Sequence, residues 1–317
     1  MTSAPTPIAG TPPGRACDIS IVIVNRDASG LLRDCLASIR RHAGALRVQS
    51  IVVDNGSVDD SIAMARREFP EVLVLPQGRN LGYVPANNVG LRVALGDYTL
   101  FLNNDAFVEE GALECLVAFM DAHPRAGAVS GKILNPDRSD QGTARRFPTV
   151  ANAIFGRRSL LTRLFPGNPW SRRYMVGRHR PDDEPFEVET LSSAAMMVRT
   201  REGLAMGGMD EDFYLYWVDS EMCARFRRQG FGIWCVPRAI IVHFEGQGGS
   251  TKTFRRRMRS TVGFHKDSYL AYTKVHGLAP WRPPALLVAA LLSVRCGLLV
   301  LLQLLRPARA TSSGGRN

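Results

Sequence analysis

Residues 19–54 read ISIVIVNRDASGLLRDCLASIRRHAGALRVQSIVVD, and the order of patterns within them decides the fold class. Ile19–Val24 is an unbroken, largely β-branched apolar run, which suits a strand covered on both faces. Leu31, Leu32, Cys35, Leu36 and Ile39 then recur at helical spacing within Leu31–Arg41. Ile51–Val53 repeats the covered-strand signature and stops at Asp54. Strand, helix and strand in immediate succession make a βαβ unit, because parallel neighbours need a long crossover.

The alternation continues downstream. Ser61–Phe69 is expected to be a helix, Val72–Leu75 a strand, Val84–Leu95 a helix, Tyr98–Leu102 a strand and Glu110–Ala122 a helix. This pattern predicts an α/β fold with a doubly wound, parallel sheet, right-handed crossovers, and ligands collected at the carboxyl ends of the strands. Residues 135–187 are rich in Arg, Pro and Gly, have weak periodicity, and read as long loops with short elements. Regularity returns at Val188–Val198, then as a helix at Ser220–Gln229 and strands at Gly232–Val236 and Ile240–Val242. No internal repeat is visible.

Composition bounds the function. At 317 residues, with 45% hydrophobic and 22% charged residues, the chain can bury a sizeable core, so it is neither wholly disordered nor collagen-like. The net charge is +11, and only four of the 40 cationic residues are Lys. Arg forks bind phosphates and carboxylates in bidentate fashion, so the excess points to an anionic partner. Nucleic acid is set aside, because no nucleic-acid module or aromatic platform accompanies the charge. No two of the six cysteines form a CxxC, which argues against a structural zinc site. Residues 1–16 carry no apolar signal segment, so a cytoplasmic location with reduced thiols is expected.

The C-terminal part is distinct. Residues 252–282 hold eight Lys/Arg against one acid, Asp267, and include the run Arg255-Arg256-Arg257-Met258-Arg259. That run is either a solvated helix face or a site for an acidic target, such as an acceptor pyrophosphate or anionic lipid. Leu286–Leu305 is apolar apart from Arg295 and Gln303 and is nearly long enough to span a bilayer. A central Arg costs about 2.5–3.5 kcal/mol on insertion scales. A helix lying in the membrane interface or against a partner is therefore favoured, with a spanning helix and an ordinary buried helix as alternatives. Exposed, the stretch would seek lipid or a second subunit, so a homo-oligomer is open. The expected organisation is a disordered tail at 1–17, an α/β domain at 18–250, a basic and apolar helical extension at 251–308, and a disordered tail at 309–317.

Three polar clusters follow predicted strands: Asn25-Arg26-Asp27, Asp54-Asn55-Gly56-Ser57 and Asn103-Asn104-Asp105. Each alone could be turn chemistry. Three at successive strand ends would converge on one rim. There Asp54 could accept hydrogen bonds from a base or ribose, Gly56 would let the backbone come close, and Asp105 could hold a hard divalent cation. A fourth segment, Asp210–Glu221, packs aromatics including Trp217 among carboxylates just before a helix. Asp219 and Glu221 could cap that helix, or a carboxylate there could abstract a proton from an aromatic pocket. His243 ends a late strand and could be structural or could complete a metal site with Asp105.

These segments resemble a family. IVIVNRDASGLLRDCLASI, IVVDNGSVDDS, GRNLGYVPANNVGL, GDYTLFLNNDAFVE, MDEDFYLYWVDSEMCARFRRQGF and VPRAIIVHFEGQGGS occur in this order. Together they resemble the family-2 glycosyltransferases of GT-A fold, and more narrowly the bacterial rhamnosyltransferase-like branch, over about residues 18–275. The resemblance implies a Rossmann-like, mostly parallel central sheet with flanking helices. It implies inverting transfer of a sugar from a nucleoside diphosphate sugar, with dTDP-rhamnose the favoured donor. It also implies nucleotide contacts at Asn25, Asp54, Gly56, Ser57, Asn80 and Asn104, and Mg²⁺ or Mn²⁺ at Asp105 and His243. Asp219 is implied as general base, and Ser193, Trp217, Glu221, Arg255 and Arg256 are expected on the acceptor or diphosphate side. The expected acceptor is a lipid-linked cell-envelope glycan, reached from the inner face of the bacterial membrane by a peripherally bound chain. Asn103-Asn104-Asp105 offers one carboxylate where a D-x-D motif offers two, and Val218-Asp219 keeps only the Asp of an "ED" pair. A catalytically silent nucleotide-sugar-binding protein of the same fold is the alternative.

Overall fold

The computed structural model describes residues 17–150, 164–165, 168–176, 184–246 and 254–305, with the backbone alone at Ser171 and Arg255. The expected tails lie outside the described residues, Cys17 excepted, and so does much of the 135–187 region.

The first half follows the alternation. β1 (Ile19–Asn25), α1 (Ser29–His42), β2 (Val48–Asp54), α2 (Ser61–Glu68), β3 (Leu73–Pro76), α3 (Tyr83–Arg92) and β4 (Tyr98–Asn103) appear in order. β3, β2, β1 and β4 lie side by side and parallel. Ile19, Ile21 and Ile23 turn to one face, where α1, α2 and α4 (Ala112–Ala122) cover them with Leu32, Leu36, Met64 and Leu116. Val22 turns to the other face with Ile51 and Val53, beneath Val84 and Leu91 of α3. Both faces are thus sealed, which is why β1 reads as a continuous apolar run. Each large aliphatic side chain so buried contributes about 1.5–3 kcal/mol.

The second half mixes directions. β8 (Ala195–Arg199) runs antiparallel between β4 and β6 (Ala126–Leu134). β9 (Gly232–His243) lies parallel to β6, and both β5 (Ala106–Val108) and β7 (Phe186–Val188) pair antiparallel with β9. The sheet order is β3-β2-β1-β4-β8-β6-β9-β5, with β7 also on β9.

Three expectations change. Val188–Val198 is two strands separated by a turn in which Ala195 N–H donates to Ser192 O at 3.2 Å, because the polar Ser192-Ser193 pair interrupts the apolar run. Gly232–Val236 and Ile240–Val242 are one strand, carried past Pro237 by a register shift at Gly131/Lys132. Gly131 permits it: a Cβ there would sit 2.0 Å from Ala239 O. The helix expected from Glu110 begins at Ala112.

α5 (Pro169–Tyr174), α6 (Thr200–Ala205) and α7 (Val218–Arg228) precede the C-terminal pair α8 (Phe254–His276) and α9 (Pro283–Leu305). α8 docks on the second core through Ala271. α9 packs through Val288 and Leu292 near Tyr272 of α8. Only 17% of the most apolar window of α9 is covered, so it is not an ordinary buried helix.

Candidate active site

The register of the parallel strands places the polar clusters. Asn25 stands opposite Asp54, and Val24 opposite Asn103, so three strand ends share one rim. A hydrogen-bonded floor joins them. Asn104 Nδ2 donates to Asn25 Oδ1 at 2.8 Å, Asn25 Nδ2 to Ser57 Oγ at 3.3 Å, and Ser57 N–H to Asp54 Oδ2 at 3.0 Å. The Ser57 hydroxyl closes the chain onto Asp54 Oδ1 at 2.5 Å. Asp54 is 1% exposed. The adjacent Asn55 grips the next segment: its Nδ2 donates to Gly82 O at 3.1 Å and its Oδ1 accepts from Leu81 N–H at 2.7 Å. Gly56 has φ +78°, and a Cβ there would lie 2.8 Å from the Arg79 carbonyl carbon. The close approach at Gly56 is therefore that of the chain's own Arg79–Gly82 turn, which presents Asn80 at the surface.

Asp105 and His243 meet because β5 and β9 pair with Ala106 opposite His243. His243 Nε2 lies 3.1 Å from Asp105 Oδ1, and both residues are buried. The tautomer follows from Gln141. Its Nε2 donates to His243 O at 2.7 Å and to Asn135 Oδ1 at 2.9 Å, which turns its Oε1 toward His243 Nδ1 at 3.0 Å. An amide oxygen only accepts, so Nδ1 carries a proton, and in the neutral imidazole the lone pair is then on Nε2, the ring nitrogen nearest the carboxylate. Among the described residues no three His, Cys, Asp or Glu side chains cluster. A carboxylate oxygen and an oriented imidazole nitrogen nevertheless fit a Mg²⁺ or Mn²⁺ that completes its shell with water and substrate phosphate oxygens.

Asp219 sits in the first turn of α7. Its Oδ1 accepts from Ser220 N–H at 2.8 Å and its Oδ2 from Ser193 N–H at 3.2 Å. Ser193 O and Asn103 Oδ1 each lie 3.2 Å from the Tyr83 hydroxyl. Burial pushes the Tyr83 pKa up to about 12, with the Asp219 charge adding to the effect. Trp217, just before α7, holds φ +65°, a strained conformation for a bulky residue, and its buried Nε1–H has no hydrogen-bond partner. The loop leading to it is pinned from α8. Asp267, fully buried, accepts from the N–H groups of Tyr214, Leu215 and Tyr216 at 3.1, 3.0 and 2.9 Å.

These groups surround one cavity of about 790 Å³. Asn80, Asn104, Asp105, Ser193, Trp217, Asp219, His243 and Arg256 line it. Asn25, Asp54, Gly56 and Ser57 do not; they form the floor beneath Asn104. Glu221 points elsewhere: it is 3% exposed and pairs at 2.8 Å with Arg225, which also bonds Met206 O and Gly208 O. Burial raises its pKa, and Arg225 works against that rise. The pairing anchors Glu221 to Arg225, outside the lining of this cavity. The side chain of Arg255 lies outside the described residues.

Arg26, Tyr83, Gln141 and Arg145 also line the cavity and carry no prior assignment. Arg145 is the most telling. Burial works against its charge, yet Tyr174, Asp219 and Glu245 outweigh that and raise its pKa. It is set in place by mutual backbone hydrogen bonds with Thr190, both 3.0 Å. Nothing in the periodicity of 135–187 marks that pairing. The cue available was composition: an Arg-rich segment in a chain that needs to hold an anion.

The sequence pattern of glycosyl transferase family 2 matches residues 20–198, more than half of the chain. The chain belongs to glycosyl transferase family 2. Over 249 residues it is 29% identical to an N-acetylglucosaminyl-diphospho-decaprenol L-rhamnosyltransferase of Mycobacterium tuberculosis, covering 75% of this chain and 78% of that protein. It is 26% identical over 246 residues to the O-antigen biosynthesis protein RfbC of Myxococcus xanthus, covering 75% of this chain but 18% of that one. Among solved structures, a Pyrobaculum calidifontis mannosyltransferase in complex with GDP-Man and Mn²⁺ matches with a TM-score of 0.55 at 16% identity, over 97% of this chain and 80% of that one. GalNAc-T7 with UDP, GalNAc and Mn²⁺ matches with a TM-score of 0.57 at 16% identity, over 88% and 54%. At such identities the likeness concerns the fold, which is GT-A, and the family-2 glycosyltransferase sheet described above carries a C-terminal helical pair.

Proposed function

We propose that this chain is an inverting hexosyltransferase. It moves a sugar, rhamnose first among the candidates, from a nucleoside diphosphate to a hydroxyl of a lipid-linked cell-envelope glycan at the cytoplasmic face of the membrane. The observation that carries this reading is that Asp105, His243 and Asp219 line one cavity at the carboxyl ends of the strands. The rhamnosyl donor and lipid-linked acceptor are supported by the Mycobacterium tuberculosis relative.

The chemistry follows from placement. Asp219 keeps an oxygen near the cavity while Ser193 N–H and Ser220 N–H orient its carboxylate. It takes the proton of the acceptor hydroxyl as that oxygen bonds to the anomeric carbon. The bond from that carbon to the diphosphate oxygen breaks with its electron pair, the nucleoside diphosphate leaves, and the configuration inverts. A Mg²⁺ or Mn²⁺ held by Asp105 and His243 would neutralise charge on the leaving diphosphate. Arg26 and Arg145 supply further positive charge from the wall. Asn80 and Asn104 border the nucleotide, and the Asn25–Ser57–Asp54 network with Gly56 holds that border rigid. Ser193, Trp217 and Arg256 border the acceptor.

The test is release of nucleoside diphosphate from dTDP-, UDP- and GDP-sugars with Mn²⁺ and a lipid-linked acceptor. Turnover with at least one donor is expected, and Asp219→Asn should lose it by about 10²–10⁴-fold while still binding donor. Donor binding without turnover in the wild type would favour the silent binding protein. Unaltered turnover in Asp219→Asn would remove Asp219 as the base.

A further inference from the structure

The cavity does not end at the sheet. It continues between the catalytic rim and the C-terminal helices, where Arg259, Phe264 and Tyr272 of α8 and Val288, Leu292 and Arg295 of α9 line it. On α9, Ala285, Val288 and Leu292 form a buried stripe at spacings of three and four residues. Arg295 is the next position of the same stripe, so the one cation of an apolar helix is turned inward. Its guanidinium lies 5.7 Å from the Phe264 ring centroid. No acid among the described residues pairs with Arg295 or Arg259. Arg259 is exposed but Arg295 is partly buried, and a partly buried cation without an acid is unfavourable until an anion arrives.

The opposite face of α9 is apolar and uncovered: Leu287 is 52% exposed, Val294 64%, Leu298 58% and Leu302 55%. One helix thus presents hydrocarbon outward and positive charge inward, next to an apolar wall. The site is also tied to the base. Ring contacts run from Trp217 to Phe264 at 5.9 Å and on to Arg295, and Asp267 fixes α8 to the loop that leads to Asp219. This series involves neither Asp105 nor His243.

We propose that Arg259 and Arg295 form the subsite for the diphosphate of a polyprenyl diphosphate-linked acceptor, with Phe264, Tyr272, Val288 and Leu292 taking its first isoprenoid units. The outer face of α9 lies in the acyl layer, so the lipid enters sideways and its sugar reaches Asp219. The subsite deepens the lipid-linked reading above and rests on it. Charge complementarity selects a diphosphate, and the apolar wall selects one that carries a prenyl chain.

The probe is farnesyl diphosphate, titrated into the full chain with saturating nucleoside diphosphate and Mn²⁺ so that the donor site is filled. Saturable binding is expected, with inorganic diphosphate and farnesol each at least about tenfold weaker. Arg295→Gln and Arg259→Gln should each weaken it by about tenfold or more, the loss typical of a charge-assisted contact. Arg295→Lys should recover part of the loss, and an unchanged melting temperature shows that the variants fold. Binding to phosphatidylglycerol vesicles should be unaltered in both Gln variants. No binding by the wild type overturns the subsite. So does full farnesyl diphosphate binding in the variants, and so does loss of vesicle binding alone, which would assign these arginines to the membrane surface. This readout needs no turnover. A chain that binds farnesyl diphosphate yet releases no nucleoside diphosphate keeps the subsite and loses the enzyme.

Discussion

Gln141 fixes the His243 ring by accepting from Nδ1, which in the neutral imidazole leaves the lone pair on Nε2, 3.1 Å from Asp105 Oδ1. Gln141→Leu should therefore lower Mn²⁺ affinity by about 10–100-fold, the usual cost of losing an orienting partner, as read by Mn²⁺ paramagnetic titration. Affinity equal to wild type would mean that His243 is no ligand. Gly56 makes a second case. Gly56→Ala forces a Cβ onto the Arg79 backbone at φ +78° and should destabilise the fold by about 1–3 kcal/mol in urea titration. Legibility at this scale was uneven. Asp54, Asp105 and Asp219 stand out in sequence because carboxylates end covered strands or open a helix. Gln141 and Arg145 do not, because their places depend on pairing with distant backbone at His243 and Thr190. Asp54 was legible as a carboxylate at a strand end, but its near-complete burial beneath Ser57 was not.

The elements show the same division. β1, β2 and β4 were legible as apolar runs sealed on both faces. β6 was not, since Gly127, Ser130, Gly131 and Lys132 dilute its signature and its place depends on contacts with β8 and β9. Asp267 stands alone as an acid in a basic segment, and only tertiary contact shows that it receives three backbone N–H groups. Asp267→Asn should cost about 1.5–3 kcal/mol, the range for hydrogen bonds to a charged group, and should lower kcat more than donor affinity because the Asp219 loop loosens. An equal loss of both would point to general unfolding. α8 is also tied down by Lys274, which bonds Asp210 and lies 2.7 Å from Asp212. The Lys274 hydrogen bond, then its charge, lowers the Asp212 pKa below 3.8. A depressed carboxylate stabilises the fold above its unfolded pKa and loses that contribution as pH falls through the folded value. The difference in melting temperature between wild type and Asp212→Asn should thus be present at pH 6 and vanish below the folded pKa. A difference that persists there would remove the pair as its source.

At the scale of the whole molecule, net charge suggested an anionic partner, and the apolar 286–305 stretch suggested a helix lying in the membrane interface or against a partner. The structure adds which side of α9 is which. Leu298→Gln with Leu302→Gln changes only the uncovered face. The pair should reduce co-sedimentation with anionic vesicles severalfold, since about 0.8 kcal/mol is lost per buried CH₂, and leave the melting temperature unchanged. Retained sedimentation would place the membrane contact elsewhere. The central claim is that side chains far apart in sequence hold one activated sugar at one sheet edge. A crystal structure with a nucleoside diphosphate sugar and Mn²⁺ tests it most directly. The account predicts Mn²⁺ on Asp105 and His243, the diphosphate beside it, and the anomeric carbon facing Asp219 across the cavity. A donor bound outside that cavity, or one whose anomeric carbon Asp219 cannot approach through an acceptor oxygen, would contradict it.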